Sequence, residues 1–154
     1  MLTIKKTNDS ELITGLNEEV QNLHHTLYPK IFKPFDKAAT AEFIRDFLTD
    51  HNCHAYMVFD NSNAIGYAIF CIKEAKENAF HYSIHTLYID QIGVLEKYRS
   101  SGAGQLLMQQ AEELAKELSI TRIELDHWSA NAVAARYFRK HGYVLCKERL
   151  CKSL

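Results

Sequence analysis

The spacing of apolar and polar positions divides the chain into alternating strands and helices. Leu2–Ile4 predicts a short strand. Asn8 and Glu11 follow with capping-box spacing, and Ile13, Leu16, Val20, Leu23 and Leu27 recur along one helical face. Pro29 and Pro34 bracket an irregular connection. A second helix is expected from about Asp36 to Asp50, with Phe43, Ile44, Phe47 and Leu48 inward. His54–Asp60 and Ala64–Lys73 read as strands joined by the turn Asp60-Asn61-Ser62-Asn63, hence a hairpin. A long strand runs from about Tyr82 to Val94. A helix opens near Gly102, carrying Leu107, Ala111, Leu114 and Leu118 on one face. Arg122–Trp128 is expected as a strand and Asn131–His141 as a helix, with Gly142 at the left-handed C′ position. Tyr143–Leu154 finishes as extended chain. This order implies a mixed α/β sheet, which by itself names no function.

Composition narrows the class. The 154 residues are 47% hydrophobic and 24% charged, enough for one folded domain, taken as residues 1–154. The net charge of −1 supplies no basic field for phosphate backbones, so nucleic acid is not expected as a partner. No apolar run approaches the roughly 20 residues of a membrane span, and no apolar stretch follows Lys5 and Lys6, so a membrane and a secretory signal are not expected. Cys53, Cys71, Cys146 and Cys151 form no C-x-x-C pair and are expected as buried, reduced thiols of a cytoplasmic protein. The eight histidines show no ligand spacing beside a cysteine pair, so no metal is expected.

The chemistry concentrates between Tyr88 and Tyr143. A strand ending at Val94 runs into Arg99-Ser100-Ser101-Gly102-Ala103-Gly104-Gln105, which opens an amphipathic helix. Loop N–H groups and a helix N-terminus form an anion site, and Gly102 and Gly104 let a ligand approach the backbone. The loop lacks a Gly-Lys-Ser/Thr ending, and Leu107 stands where G-x-G-x-x-G needs its third glycine. Both a triphosphate loop and a dinucleotide fingerprint are therefore disfavoured.

Arg99-x-x-Gly102-x-Gly104 resembles the pyrophosphate motif of the GNAT N-acetyltransferase superfamily. Asn131, Ala134, the pair Tyr137-Phe138 and Gly142-Tyr143 resemble its later motif, in the right order. The resemblance implies a mostly antiparallel sheet, splayed at the cofactor strand and flanked by helices on both faces. It implies acetyl-CoA as acyl donor, with backbone groups of Ile92, Gly93 and Val94 pairing with the pantetheine arm. Arg99, Ser100, Ser101, Gly102, Ala103, Gly104 and Gln105 would hold the pyrophosphate. Asn131 would meet the pantetheine from the other side, with Ala134 and Phe138 near the thiol. The acceptor would be a primary amine, on a small molecule or a peptide, and a homodimer is compatible with this reading.

One departure is plain. The family usually carries a tyrosine acid four residues before the helix-ending glycine, and Phe138 stands there. Tyr137 points about 100° away on a helix and does not simply replace it. A thiol with pKa near 8.5 needs only about 2 kcal/mol to ionise at pH 7, whereas a lysine-like amine needs about 4.6 kcal/mol to become neutral. Losing the acid is thus more tolerable than losing a base. Asp126 is the first candidate base, because ribosomal-protein-type members carry a glutamate there, and Asp90 on the cofactor strand is the second. His127 shares a face with Ile123 and Leu125 and is expected to pack. Trp128 and Tyr143 are expected as sheet-edge packing, and Tyr28, Phe32, Phe35 and Tyr82 as walls of the acceptor pocket. The readings that compete with an enzyme are an acyl-CoA-binding module without turnover, which Phe138 favours, and a nucleotide-binding regulatory domain.

Overall fold

The apolar pattern is satisfied by a five-stranded sheet covered on both faces, in a computed structural model that describes residues 1–154. In chain order the elements are β1 (Leu2–Thr7), α1 (Ser10–Leu27), α2 (Lys37–Phe47), β2 (Cys53–Asp60), β3 (Asn63–Ala75), β4 (Ile84–Val94), α3 (Ala103–Glu117), β5 (Ile123–Glu124) and α4 (Ala132–Lys140). The sheet order is β1-β2-β3-β4-β5. The first four strands pair antiparallel, and β5 pairs parallel to β4. A parallel neighbour cannot be reached by a tight turn, and α3 supplies the crossover.

Each face of the sheet has its own core. Ile13 and Leu16 of α1 and Ile44 of α2 pack on Met57, Tyr67 and Ile69. Leu107, Met108 and Ala111 of α3 and Phe138 of α4 pack on Val58, Phe70 and Leu87. Strands buried on both faces read as continuous apolar runs, which is why β2 and β3 show no clean alternation.

Several boundaries differ from the sequence reading. Asp9, not Asn8, caps α1, its carboxylate accepting from the Leu12 N–H at 3.0 Å. Asp36 caps α2, which ends at Phe47. Phe43 is 61% exposed and stacks on Phe47, because its position on α2 points away from the sheet. The strand expected over Arg122–Trp128 contracts to two residues, and no strand forms after Tyr143. Cys53 and Cys71 were expected as reduced thiols. They stand opposite each other in the β2–β3 register, with Cα atoms 4.2 Å apart, and are joined as a disulfide. Cys146 and Cys151 are exposed rather than buried.

Two irregularities in β4 position the site. The β3–β4 register passes from Ile69↔Gln91 to Phe70↔Ile89, leaving Asp90 as the extra residue of a bulge. At Gly93, a Cβ would stand 2.8 Å from Val20 of α1 and 3.1 Å from the Tyr67 ring. The missing side chain is what lets α1 lie against β4. Gly93→Ala is therefore expected to lower stability by about 1–3 kcal/mol, the range for overpacking a filled interior. Urea unfolding checks it, and an unchanged midpoint and slope would contradict the close packing.

Candidate functional site

The sheet opens beside β4. This strand pairs with β3 as far as Gly66↔Val94, but with β5 only through Leu87↔Ile123 and Tyr88↔Glu124. Beyond Tyr88, Ile89–Val94 has a strand on one side and none on the other. Ile92, Gly93 and Val94 lie on this open edge, half-buried. Backbone N–H and C=O groups here can pair with an extended ligand that runs along β4 as an added strand.

The open edge leads into the N-terminus of α3. A single 3₁₀ turn, Glu96–Tyr98, separates β4 from the exposed Arg99 and Ser100. Ser100 has φ of 70° and Gly102 has φ of 96°, so the chain turns through two left-handed residues immediately before the helix. The Ser101 hydroxyl accepts from the Ala103 N–H at 3.3 Å, while the N–H groups of Gly104 and Gln105 have no backbone acceptor. Together with the helix dipole they favour an anion.

The space beside Gly104 is used within the protein itself. The place its Cβ would occupy lies 2.5 Å from the Tyr137 hydroxyl, so α4 fills that space. At Gly102, by contrast, only Leu2 approaches within 4 Å, and the left-handed φ is the requirement.

On the far side of the opening, Asn131 caps α4, its side-chain oxygen accepting from the Ala134 N–H at 3.1 Å. That leaves the amide NH₂ as a donor. Ala134 and Phe138 pack against the α3-side core, and Phe138 is buried. Gly142 has φ of 86°, the left-handed residue expected after the helix.

The carboxylates gather on the other face of the sheet. Tyr88 opposes Cys71, which belongs to the α1-side core. Alternation places Asp90 with Tyr88, and the bulge brings Gln91 to the same side, where it accepts from the Tyr67 hydroxyl at 3.1 Å. Asn17 of α1 in turn donates to Tyr67 at 2.8 Å, and burial pushes this phenol up to about 12. The Tyr88 hydroxyl donates to Asp126, so one phenol bridges β4 to the chain leaving β5. Lys73 lies 3.6 Å above the Tyr88 ring. Burial first, then the bond to Asp126 and the charges of Asp126, Asp90 and Glu124, hold Tyr88 well above the ordinary phenol range. Asp90 keeps solvent contact, yet loss of part of its hydration raises its carboxyl, Lys73 opposing and the Asp126 charge adding.

His127 is exposed, because the chain has already left the sheet at Glu124, and its only packing is one ring face stacked 6.4 Å from Phe138. Trp128 is likewise not at a sheet edge. It lies 4.8 Å from the Tyr28 ring and 5.2 Å from that of Phe32, and Tyr28 accepts from the Ala130 N–H at 2.9 Å. The loop before α4 is thus fastened to the end of α1. Tyr82 is 84% exposed and takes no part in this cluster. Tyr88, Lys73 and Tyr137 were not singled out from the sequence as site residues. The alternation of β4 carried the only signal for Tyr88.

With this geometry in place, comparison with known proteins gives the family through one match. The model of the acetyltransferase (GNAT) family matches residues 17–143. An uncharacterized N-acetyltransferase of Bacillus subtilis (strain 168), YdgE, is 33% identical over 67 residues, which is 44% of this chain and 43% of that protein. The match therefore spans less than half of that relative. A tetramutant of the BH1408 protein of Bacillus halodurans superposes with a TM-score of 0.93 at 19% identity, covering 99% of each chain. The protein AAC(6′)-Iy, in complex with the bisubstrate analogue CoA-S-monomethyl-acetylneamine, superposes with a TM-score of 0.71 at 16% identity, covering 100% of this chain and 98% of its own. At these identities the superpositions show the fold.

The raised carboxyl of Asp90 has a consequence for stability. A carboxyl whose pKa is higher folded than unfolded disfavours folding above the folded value, and the penalty vanishes below the unfolded value. Asp90→Asn is expected to match or exceed the parent's melting temperature near neutral pH, the advantage shrinking as pH falls through the carboxylate range. A variant less stable than the parent near neutral pH would contradict this.

Proposed function

The chain belongs to the GNAT acetyltransferase family, and from that membership we propose that it transfers an acetyl group from acetyl-CoA to a primary amine by direct attack in a ternary complex. Residues 1–154 act in this reading as one catalytic domain. The observation that carries it is the open edge of β4 over Ile89–Val94, which runs straight into the unpaired N–H groups of Gly104 and Gln105. An extended amide-bearing arm joined to a pyrophosphate matches that edge and that helix end in one ligand. Acetyl-CoA supplies the thioester when bound.

The chain's own residues divide the remaining work. Ile92, Gly93 and Val94 orient the arm through their backbone, and an N–H of this edge faces charge developing on the carbonyl oxygen, a contact of the kind worth about 3–4 kcal/mol. Arg99, Ser100, Ser101, Gly102, Ala103, Gly104 and Gln105 hold the phosphates. The free NH₂ of Asn131 donates to the arm from the α4 side, with Ala134 and Phe138 walling the thiol end. Phe138 offers no proton, so the thiolate leaves with solvent's help.

The amine enters from the α1 side, between the Tyr28, Phe32 and Trp128 cluster and the carboxylates. Asp126 is occupied by the Tyr88 hydroxyl, whereas Asp90 keeps a raised, solvent-reached carboxylate at the bulge. Asp90 is thus the better base, directly or through a water, and Asp126 steadies it. This reverses the order suggested by family position alone.

The test is release of free CoA from acetyl-CoA with a panel of primary amines that includes neamine. Turnover is expected with at least one. Asp90→Asn should cut kcat by about 10², the scale of general-base catalysis, and leave KM for acetyl-CoA nearly unchanged. Full activity of Asp90→Asn would remove it from the base role. Acetyl-CoA binding without turnover on any amine would favour the binding module that Phe138 suggests.

A further inference from the structure

Tyr137 is the one residue whose side-chain polar atom is buried and unpartnered. Its hydroxyl oxygen is shielded from solvent and makes no hydrogen bond in the protein. Buried hydroxyls without partners are rare, because they give up their bonds to water and gain nothing. The ring is held in place: it lies 4.5 Å from the His141 ring and meets Phe138 edge-on at 5.6 Å. The hydroxyl is directed at the first turn of α3, where an added Cβ on Gly104 would stand 2.5 Å from it. At that turn the N–H groups of Gly104 and Gln105 also lack backbone acceptors. Two N–H donors and a hydroxyl that can donate thus stand at one helix turn, and a phosphate is rich in acceptor oxygens.

We propose that Tyr137 is a ligand-binding residue whose hydroxyl donates a hydrogen bond to the pyrophosphate of bound acetyl-CoA. The inference rests on the cofactor reading above and adds a side chain from α4 to a cradle otherwise built by the β4–α3 loop. It also accounts for the order of the aromatic pair. Phe138 occupies the thiol-end position and Tyr137, about 100° around the helix, faces α3 instead. The phenol therefore holds the donor substrate and does not protonate its leaving thiolate. Burial raises the Tyr137 phenol above its ordinary range, so it remains a donor throughout the neutral region.

Tyr137→Phe removes the oxygen and keeps the ring. Titration calorimetry with CoA and with desulfo-CoA, which retains the pyrophosphate but lacks the sulfur, reads the contact without turnover. The dissociation constant should rise by about ten- to a hundredfold for both ligands, the scale of one hydrogen bond to a charged group. The melting temperature of the free variant should equal or exceed the parent's, since an unpaired buried hydroxyl is gone. Unchanged affinity in Tyr137→Phe, or a loss confined to CoA and absent for desulfo-CoA, would overturn the assignment. Failure of the parent itself to bind CoA would instead bring down the cofactor reading on which it rests.

Discussion

The site depends on the early end of the β4–β5 ladder. Two residue pairs join these strands, and then the chain leaves the sheet. A backbone edge next to a core cannot stay without partners at no cost, because each N–H and C=O removed from water must find another bond. The fold therefore keeps Ile89–Val94 as a standing set of donors and acceptors along one side of an interior strand. A ligand that completes the sheet recovers those bonds, which is a source of affinity needing no large apolar pocket. The Tyr88–Asp126 bond sits at the point of divergence and fixes where pairing stops.

The two faces of the sheet then separate two tasks. The α3 and α4 face provides a dipole end, loop N–H groups and the Asn131 amide, all donors suited to phosphates and amide carbonyls. The α1 face provides carboxylates and an aromatic cluster, suited to a cationic amine. The bulge at Asp90 links them: one extra residue turns Asp90 and Gln91 toward α1 while Ile92 stays with the α3-side core. The buried chain Asn17–Tyr67–Gln91 holds that turn in register with α1. The placing of Asp90 and Gln91 is a matter of strand register as much as of side-chain identity.

Much of this was legible in the sequence. Periodicity placed every helix, and the hairpin, within a few residues, because each buries one apolar stripe against a sheet face. The loop from Arg99 to Gln105 announced its chemistry through glycines and small residues, which only a close backbone approach or a left-handed turn requires. What stayed hidden was long-range. Nothing local says that β5 ends at Glu124, since Leu125 to Trp128 would serve equally well as strand. The bulge at Asp90 arises from pairing with β3 and leaves no mark in β4 alone. The use of Gly104's empty space by Tyr137 needs two elements more than thirty residues apart to be brought together, and the Cys53–Cys71 pair likewise follows only from the β2–β3 register.

Amide hydrogen exchange of the backbone from Ile89 to Gln105, with and without saturating CoA, tests the account most directly. The account predicts slowed exchange at two separate places, Ile92 and Val94, whose N–H groups alternate away from β3 onto the open edge, and Gly104–Gln105 at the helix end, whose N–H groups have no backbone acceptor. The Gly66-facing ladder between β3 and β4 should change little. Protection confined to the α3 loop, with the β4 edge exchanging as fast as in the free protein, would contradict the central claim that the ligand completes the sheet.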